Sequence, residues 1–291
     1  MLSKRFALPL LAAATTLFAA PAFAQDTPAD KLPLRILPAP PMSASYAKSA
    51  ATPAKTRLRL VSKTANDITD DDKWFARTGL RLPDYAFMGA NQPYADDQLP
   101  DGSPMTYAGI GLRRALPGAS KDRVLLLYGN NFASENLLVK TKTPGGEPVY
   151  ALDFTTYRSP LIGDADPVTQ AIGFALEDAA GTLFVSHAAN GYAKESGGKT
   201  GYITALEPKS GKMLWRSAPL TSNANTFAQT GDALICGYGF TAEPDFLYVL
   251  DKRTGKRVQT IPLKSGPSYI LRRGNRVYVR CYDTDYVFAV K

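Results

Sequence analysis

The sequence of 291 residues predicts an all-β fold: a β-propeller of about four to five four-stranded antiparallel blades, with the ring closed by an N-terminal strand. Three observations predict it. Short segments rich in β-branched and aromatic residues recur from residue 110 to the end. A turn motif returns at intervals of 54, 44 and 40 residues, near the period of propeller blades. No stretch of 110–291 carries a helical period, which argues against a parallel α/β fold.

Residues 1–24 have the layout of a cleaved signal peptide. Lys4 and Arg5 precede an apolar run from Phe6 to Ala20, and Ala22-Phe23-Ala24 is a small-residue cleavage site. A membrane anchor is the alternative, but the run is shorter than the ~20 residues of a spanning helix. No Cys stands at the cleavage point to carry a lipid. The reading is a periplasmic or secreted protein that does not span the membrane. Cleavage leaves 32 Lys and Arg, down from 34, against 26 Asp and Glu. That surplus suits an anionic partner surface, yet it lacks the basic and aromatic clustering of nucleic-acid binders.

Residues 25–56 are rich in Pro and Ala, with PAPP at 38–41, and read as a flexible or partly extended linker. Residues 57–62 (RLRLVS) alternate like a strand. Residues 64–108 are acidic and turn-rich, and no strand is assigned there.

From 110 the blades follow. First strands are expected at 109–116, 170–177, 226–229 and 269–272, and second strands at 122–129, 181–188, 231–238 and 274–281. Third strands are expected at 149–154, 202–207, 247–252 and 286–291. RRGNR at 272–276 reads as a tight hairpin. The last unit ends at Lys291 without a fourth strand, and an unpaired edge there invites a strand from the other end of the chain, near 57–62.

The units share A-x-[DE]-x-x-[ST]-G-K-x-x-W. Residues 205–215 match at Ala205, Glu207, Ser210, Gly211, Lys212 and Trp215, and residues 249–259 match at Asp251, Thr254, Gly255 and Lys256. Residues 151–161 keep only Ala151 and Asp153. This repeat resembles that of the pyrroloquinoline-quinone-type (quinoprotein-like) β-propellers, where it is a tryptophan-docking motif. Gly211 and Gly255 suit turn positions with positive φ, the acid and hydroxyl suit turn amides, and Trp215 suits burial between blades. A sandwich of ordinary hairpins is the alternative.

The resemblance implies quinone chemistry only in the family's dehydrogenases, and their adjacent cysteine pair and tryptophan floor are missing here: the only tryptophans are Trp74 and Trp215. The chain is therefore placed with the non-dehydrogenase branch, as a scaffold that binds a protein or an anionic envelope component, with no cofactor expected. The alternative is a propeller hydrolase, lyase or oxidoreductase holding calcium or a small ligand at the axial channel.

His187, the sole histidine, is expected as a hydrogen-bonded strand-end residue rather than a catalytic base. The acidic clusters Asp70-Asp71-Asp72, Asp96-Asp97-Asp101 and Asp164-Asp166 offer oxygen ligands for calcium, but none has a spaced calcium-loop pattern. Cys236 and Cys281 occupy like strands of successive blades on one pleat face, so either a disulfide or two buried thiols follows. Lys252, Arg253, Lys256, Arg257, Arg272 and Arg273 gather near turns, either as a docking patch for an anionic partner or as a solubilising surface.

Overall fold

The computed structural model describes residues 32–49, 51–67, 71–80, 102–117, 124–143, 145–164 and 166–291. The signal segment 1–24 and the acids Asp70, Asp96, Asp97 and Asp101 lie outside the described residues.

In chain order the elements are β1 (Arg35–Ile36), β2 (Leu58–Ala65), α1 (Asp71–Thr78) and β3 (Thr106–Tyr107), then four meanders. Blade 1 is β4 (Ile110–Pro117), β5 (Val124–Tyr128), β6 (Leu137–Thr141) and β7 (Pro148–Asp153), followed by a small ladder of β8 (Arg158–Ser159) and β9 (Val168–Thr169). Blade 2 is β10 (Ala171–Glu177), β11 (Leu183–Ala188), β12 (Tyr202–Glu207) and β13 (Lys212–Arg216). Blade 3 is β14 (Ala228–Gln229), β15 (Ala233–Tyr238), β16 (Phe246–Asp251) and β17 (Arg257–Pro262). Blade 4 is β18 (Pro267–Arg273), β19 (Arg276–Cys281) and β20 (Thr284–Val290), and β2 is its fourth strand. Repeated four-stranded meanders stacked face to face make the β-propeller. The N-terminal strand completes the last blade, with Leu58 opposite Val290 and Ala65 opposite Thr284.

Alternation along the strands assigns each face. In blade 3, Leu234, Cys236, Tyr248 and Leu250 face the core shared with blades 1 and 2, while Ala233, Ile235, Leu247 and Val249 face blade 4. A strand buried on both faces must be apolar at every position, and ALICGY in β15 is. The face of blade 4 turned from blade 3 receives α1, through Trp74, Leu80, Tyr269 and Leu271. Arg280 ties that helix down: it pairs with Asp71 and with Asp285, and its guanidinium lies 5.9 Å from the Trp74 ring. This helix falls in the stretch for which the sequence suggested no element.

Two expectations are corrected by register. The segment 149–154 is a fourth strand, not a third: β6 pairs β5 and β7 pairs β6. Val139, not Ala151, therefore occupies the place of Ala205, and Ala151 stands opposite Val139 as Trp215 stands opposite Ala205. Residues 32–56, expected as a linker, run as a belt along the outer strands. β1 adds in parallel to β7, and Ser45 bridges Arg216 on β13. Ala47 donates to Thr254 O at 3.2 Å, and Ala54 N donates to Asp251 Oδ2 at 2.8 Å. Pro and Ala favour an extended path and leave the edge acceptors in reach of the remaining amides.

The belt and the repeats share one packing problem. Gly211 has φ of +74°, and a Cβ there would lie 2.8 Å from Leu37 Cδ2 of the belt. Gly255 has φ of +75°, and a Cβ there would lie 2.4 Å from Trp215 Cε3. Trp215 thus docks from blade 2 onto the hairpin of blade 3, with Nε1 donating to Lys252 O at 3.0 Å. At the next junction Gln259, the residue opposite Val249, bonds both backbone groups of Leu58, at 2.7 and 2.9 Å. Where no turn joins the last two strands of the blade, β20 and β2, an amide that donates and accepts serves in place of an indole.

Candidate functional site: an axial cavity and an aromatic groove

The innermost strands line two cavities. One, about 370 Å³, is bounded by Arg114 and Glu135 of blade 1, Ile172 to Gly173 and His187 to Asn190 of blade 2, and Ser222 to Asn225 at the entry to blade 3. The other, about 430 Å³, is lined by Phe174, Leu176, Phe227, Ile270 and Leu271 together with Gln229 and Arg272. Phe174 and Phe227 meet edge to face at 5.2 Å. Sequence alternation on β10 separates the two: Gly173 lines the first and Phe174 the second.

At the polar cavity Arg114 Nη2 pairs with Glu135 Oε2 at 2.5 Å and donates to Ile172 O at 2.7 Å. Arg113 lies 3.6 Å from the same carboxylate. Burial nevertheless raises the Glu135 pKa above its ordinary value, against the pull of both arginines.

His187 belongs to a buried polar hub between blades 1 and 2. Arg216, 1% exposed, donates through Nη1 to Thr204 Oγ at 3.1 Å and through Nη2 to Gln170 Oε1 at 3.1 Å. Its guanidinium lies 3.7 Å from the Tyr202 ring and 5.4 Å from Tyr157. Among the described residues it has no carboxylate partner. Burial lowers its pKa to about 10, opposed by Tyr202 and Tyr157. His187 Nε2 sits 2.8 Å from Thr204 Oγ and 3.4 Å from Arg216 Nη1. A guanidinium only donates, so the Thr204 hydroxyl accepts from it and passes its own proton toward Nε2. The network assigns the ring proton to Nδ1. Burial, then Arg216, holds the His187 pKa well below its ordinary value, so the ring is neutral.

The second feature is a groove of about 430 Å³ on the loops of blades 2 and 3, lined by Tyr192, Leu220, Tyr238, Pro244, Phe246 and Tyr248. Glu243 is fixed within it, accepting from Tyr238 Oη at 2.7 Å and from Ala193 N at 2.5 Å. Phe240, 38% exposed, meets Tyr192 edge to face at 4.7 Å on the rim. Leu220 has φ of +53°, a strained value for a branched side chain. Arg257 holds it there, donating to Pro219 O and Leu220 O at 3.0 and 3.1 Å while stacking 4.0 Å over Tyr248.

The residues expected from sequence fall elsewhere. Glu207 accepts from Lys209 N and Ser210 N, and Asp251 from Arg253 N and Thr254 N, so both carboxylates are turn residues. Cys236 and Cys281 are free and buried. The disulfide is absent for a geometric reason. Sharing a pleat face, each points back at the preceding blade, so Cys236 lies in the core with blade 2 and Cys281 in the core with blade 3.

The six basic residues do not form one patch. Lys252 pairs with Asp178 at 3.0 Å, and Arg253 with Asp251 at 3.2 Å. Arg257 holds the Leu220 turn, Arg272 donates to Gln229 O, and Arg273 stacks on Tyr278. Lys256 is exposed. Asp71 pairs with Arg280, and Asp164 accepts from Asp166 N as a turn. Among the described residues no three His, Cys, Asp or Glu side chains come together to hold a metal ion, and no helix is long and apolar enough to cross a membrane. The groove escaped sequence reading because its aromatic residues come from separate segments, Tyr192 from one loop and Tyr238, Phe246 and Tyr248 from β15 and β16. Only the aromatic density of 238–248 signalled it.

No protein-family model matches the sequence, and no curated protein matches it. Among solved structures the chain is similar to BamB from Moraxella catarrhalis, at 13% identity and a TM-score of 0.33, over 67% of this chain and 62% of that one. It is similar to a europium-containing methanol dehydrogenase at 13% identity and a TM-score of 0.33, over 57% of this chain and 45% of that one. The computationally designed Ika4 protein aligns at 15% identity and a TM-score of 0.35, over 60% of this chain and 89% of that one.

Proposed function

We propose that this chain is an exported, non-catalytic propeller scaffold that binds a protein or another component of the cell envelope, without quinone chemistry. The observation that carries the reading is the aromatic groove. Tyr192, Phe240 and Phe246 present rigid rings around a concavity, the composition that concentrates binding energy at protein interfaces. Its one carboxylate, Glu243, is spent on holding Tyr238 and Ala193 in place. Export is supported by the layout of residues 1–24.

The test is capture from envelope extract, with a photo-crosslinking residue placed at Phe240. A discrete crosslinked protein is expected, lost when Tyr192 and Phe246 are both replaced by Ala. Undiminished capture by that double variant overturns the groove as the binding surface. A second reading, an enzyme with a small ligand or calcium at the axis, draws on the polar cavity beside His187.

A further inference from the structure

The aromatic groove is short of acceptors and has a cation to spare. Carbonyls along its wall are taken by the fold: Tyr192 O accepts from Glu195 N, Ala193 O from Gly198 N, Lys194 O from Gly197 N, and Leu220 O from Arg257 Nη2. Both oxygens of Glu243 are taken as well, by Tyr238 Oη and Ala193 N. Lys194 is not taken. It lines the groove and is exposed, its Nζ lies 5.5 Å from the centre of the Tyr192 ring, and it has no carboxylate partner among the described residues. Its sequence neighbour Glu195 is directed elsewhere, with Oε2 over Gly191, 2.4 Å from where a Cβ would stand. Arg257, stacked on Tyr248 of the lining, adds positive charge beside the groove. A sugar, whose hydroxyls donate as well as accept, finds few acceptors left here. Rings with a free donor and spent acceptors recognise a ligand that is apolar and anionic.

We propose that the groove takes an extended acidic and apolar segment of a partner protein: a large apolar side chain fills the ring-lined concavity, and a neighbouring Asp or Glu carboxylate meets Lys194. The inference rests on the scaffold reading of the groove and adds the chemistry of the partner. Apolar surface continues past the groove. Phe240, 38% exposed, stands on the rim, and Ile162, 68% exposed, is tied to the turn that carries Lys194, its amide donating to Glu195 O at 2.7 Å. A contact running from the groove to Ile162 suits a length of chain rather than a lone small molecule. The two parts of the ligand have different tasks. An exposed ion pair is weak, so the rings supply the affinity and Lys194 the choice between acidic and basic partners.

The test selects a displayed library of random peptides on the immobilised full chain, then measures the best binder as a fluorescent peptide by anisotropy. Enriched sequences are expected to carry a large apolar residue beside an Asp or Glu. Tyr192→Ala is expected to weaken that peptide about tenfold or more, as loss of an interface ring does. Lys194→Glu is expected to weaken it roughly fivefold, the scale of an exposed pair turned into a repulsion, and reselection on this variant to turn the enriched charge from acidic to basic. Lys199→Glu, the same reversal at an exposed lysine outside the lining, is expected to change affinity by less than about twofold at physiological salt, where more distant charges are screened. No enrichment, enrichment without an acid, binding indifferent to Tyr192→Ala, or equal losses from the two lysine reversals overturns the proposal. If crosslinking from Phe240 still captures a protein in that case, the scaffold reading stands and only the acidic and apolar chemistry falls. If crosslinking fails too, both fall.

Discussion

Trp215 covers Gly255: the indole of one blade occupies the space that a β-carbon on the next blade's turn would take, 2.4 Å from Cε3. The contact couples two repeats of the same motif, the tryptophan of one copy and the glycine of the following one. Trp215→Ala is expected to cost about 3–5 kcal/mol, as for other large buried aromatic residues. Gly255→Ala is expected to cost more than the ~1–2 kcal/mol of a left-handed residue alone, because the added methyl also strikes the ring. In the double variant the strike is gone, so its cost is less than the sum of the two single costs. Denaturant unfolding of the four proteins measures the coupling. Strict additivity would show that the indole does not press on the turn.

The periodicity of the motif made the blades legible, because each hairpin needs a glycine, an acid for its amides and a small residue under its neighbour. It misplaced the first blade for the same reason. Ala151 and Asp153 mimic the motif, but β7 is a fourth strand, and the chain places Leu37 from the belt at that junction. A contact made by a residue more than a hundred positions away leaves no local pattern. The hub was illegible on the same grounds. His187, Thr204 and Arg216 converge only because β11, β12 and β13 are in register. The positive residues looked like one patch because they are close in sequence, whereas pairing with Asp178 and Asp251 and capping of turns consume most of their donors.

Closure of the last blade depends on Gln259. Its side chain donates to Leu58 O and accepts from Leu58 N, at the start of β2. Gln259→Ala removes both bonds and leaves two half-buried backbone groups unmet, at about 1–3 kcal/mol. Hydrogen exchange is the sharper readout. Amides of β2 are expected to lose protection in this variant before those of β19, which keep β18 and β20 on either side. Equal loss in both strands would mean that blade 4 opens as a unit and that Gln259 does not hold the closing strand. Deletion of residues 58–65 is expected to lower the melting temperature severely, since β20 would then expose its edge.

The neutral state of His187 makes stability depend on pH in a defined window. Burial and the Arg216 charge depress its folded pKa well below 6.5. The unfolded chain then binds a proton near pH 6.5 that the folded chain refuses, so unfolding gains protons and stability falls as the pH drops. Above pH 6.5 the ring is neutral in both states and the contribution is complete. Below it the loss approaches about 1.4 kcal/mol per pH unit until the folded pKa is reached. Depressed carboxylates such as Asp283, at about 2, act only at lower pH: their stabilisation is present above the unfolded value of 3.8 and fades below it. Burial raises the folded pKa of Glu135 and Asp245, and these groups act with the opposite sign, favouring the fold as the pH drops, so the histidine's share is read as a difference between two proteins. His187→Gln keeps a group that can accept from the Thr204 hydroxyl and cannot titrate, so chemical denaturation between pH 7 and 5 is expected to lose the histidine's share of the slope whatever the variant's absolute stability. A slope as steep as in the parent would show that His187 takes up its proton inside the fold, and the assignment of a neutral ring beside Arg216 would be wrong.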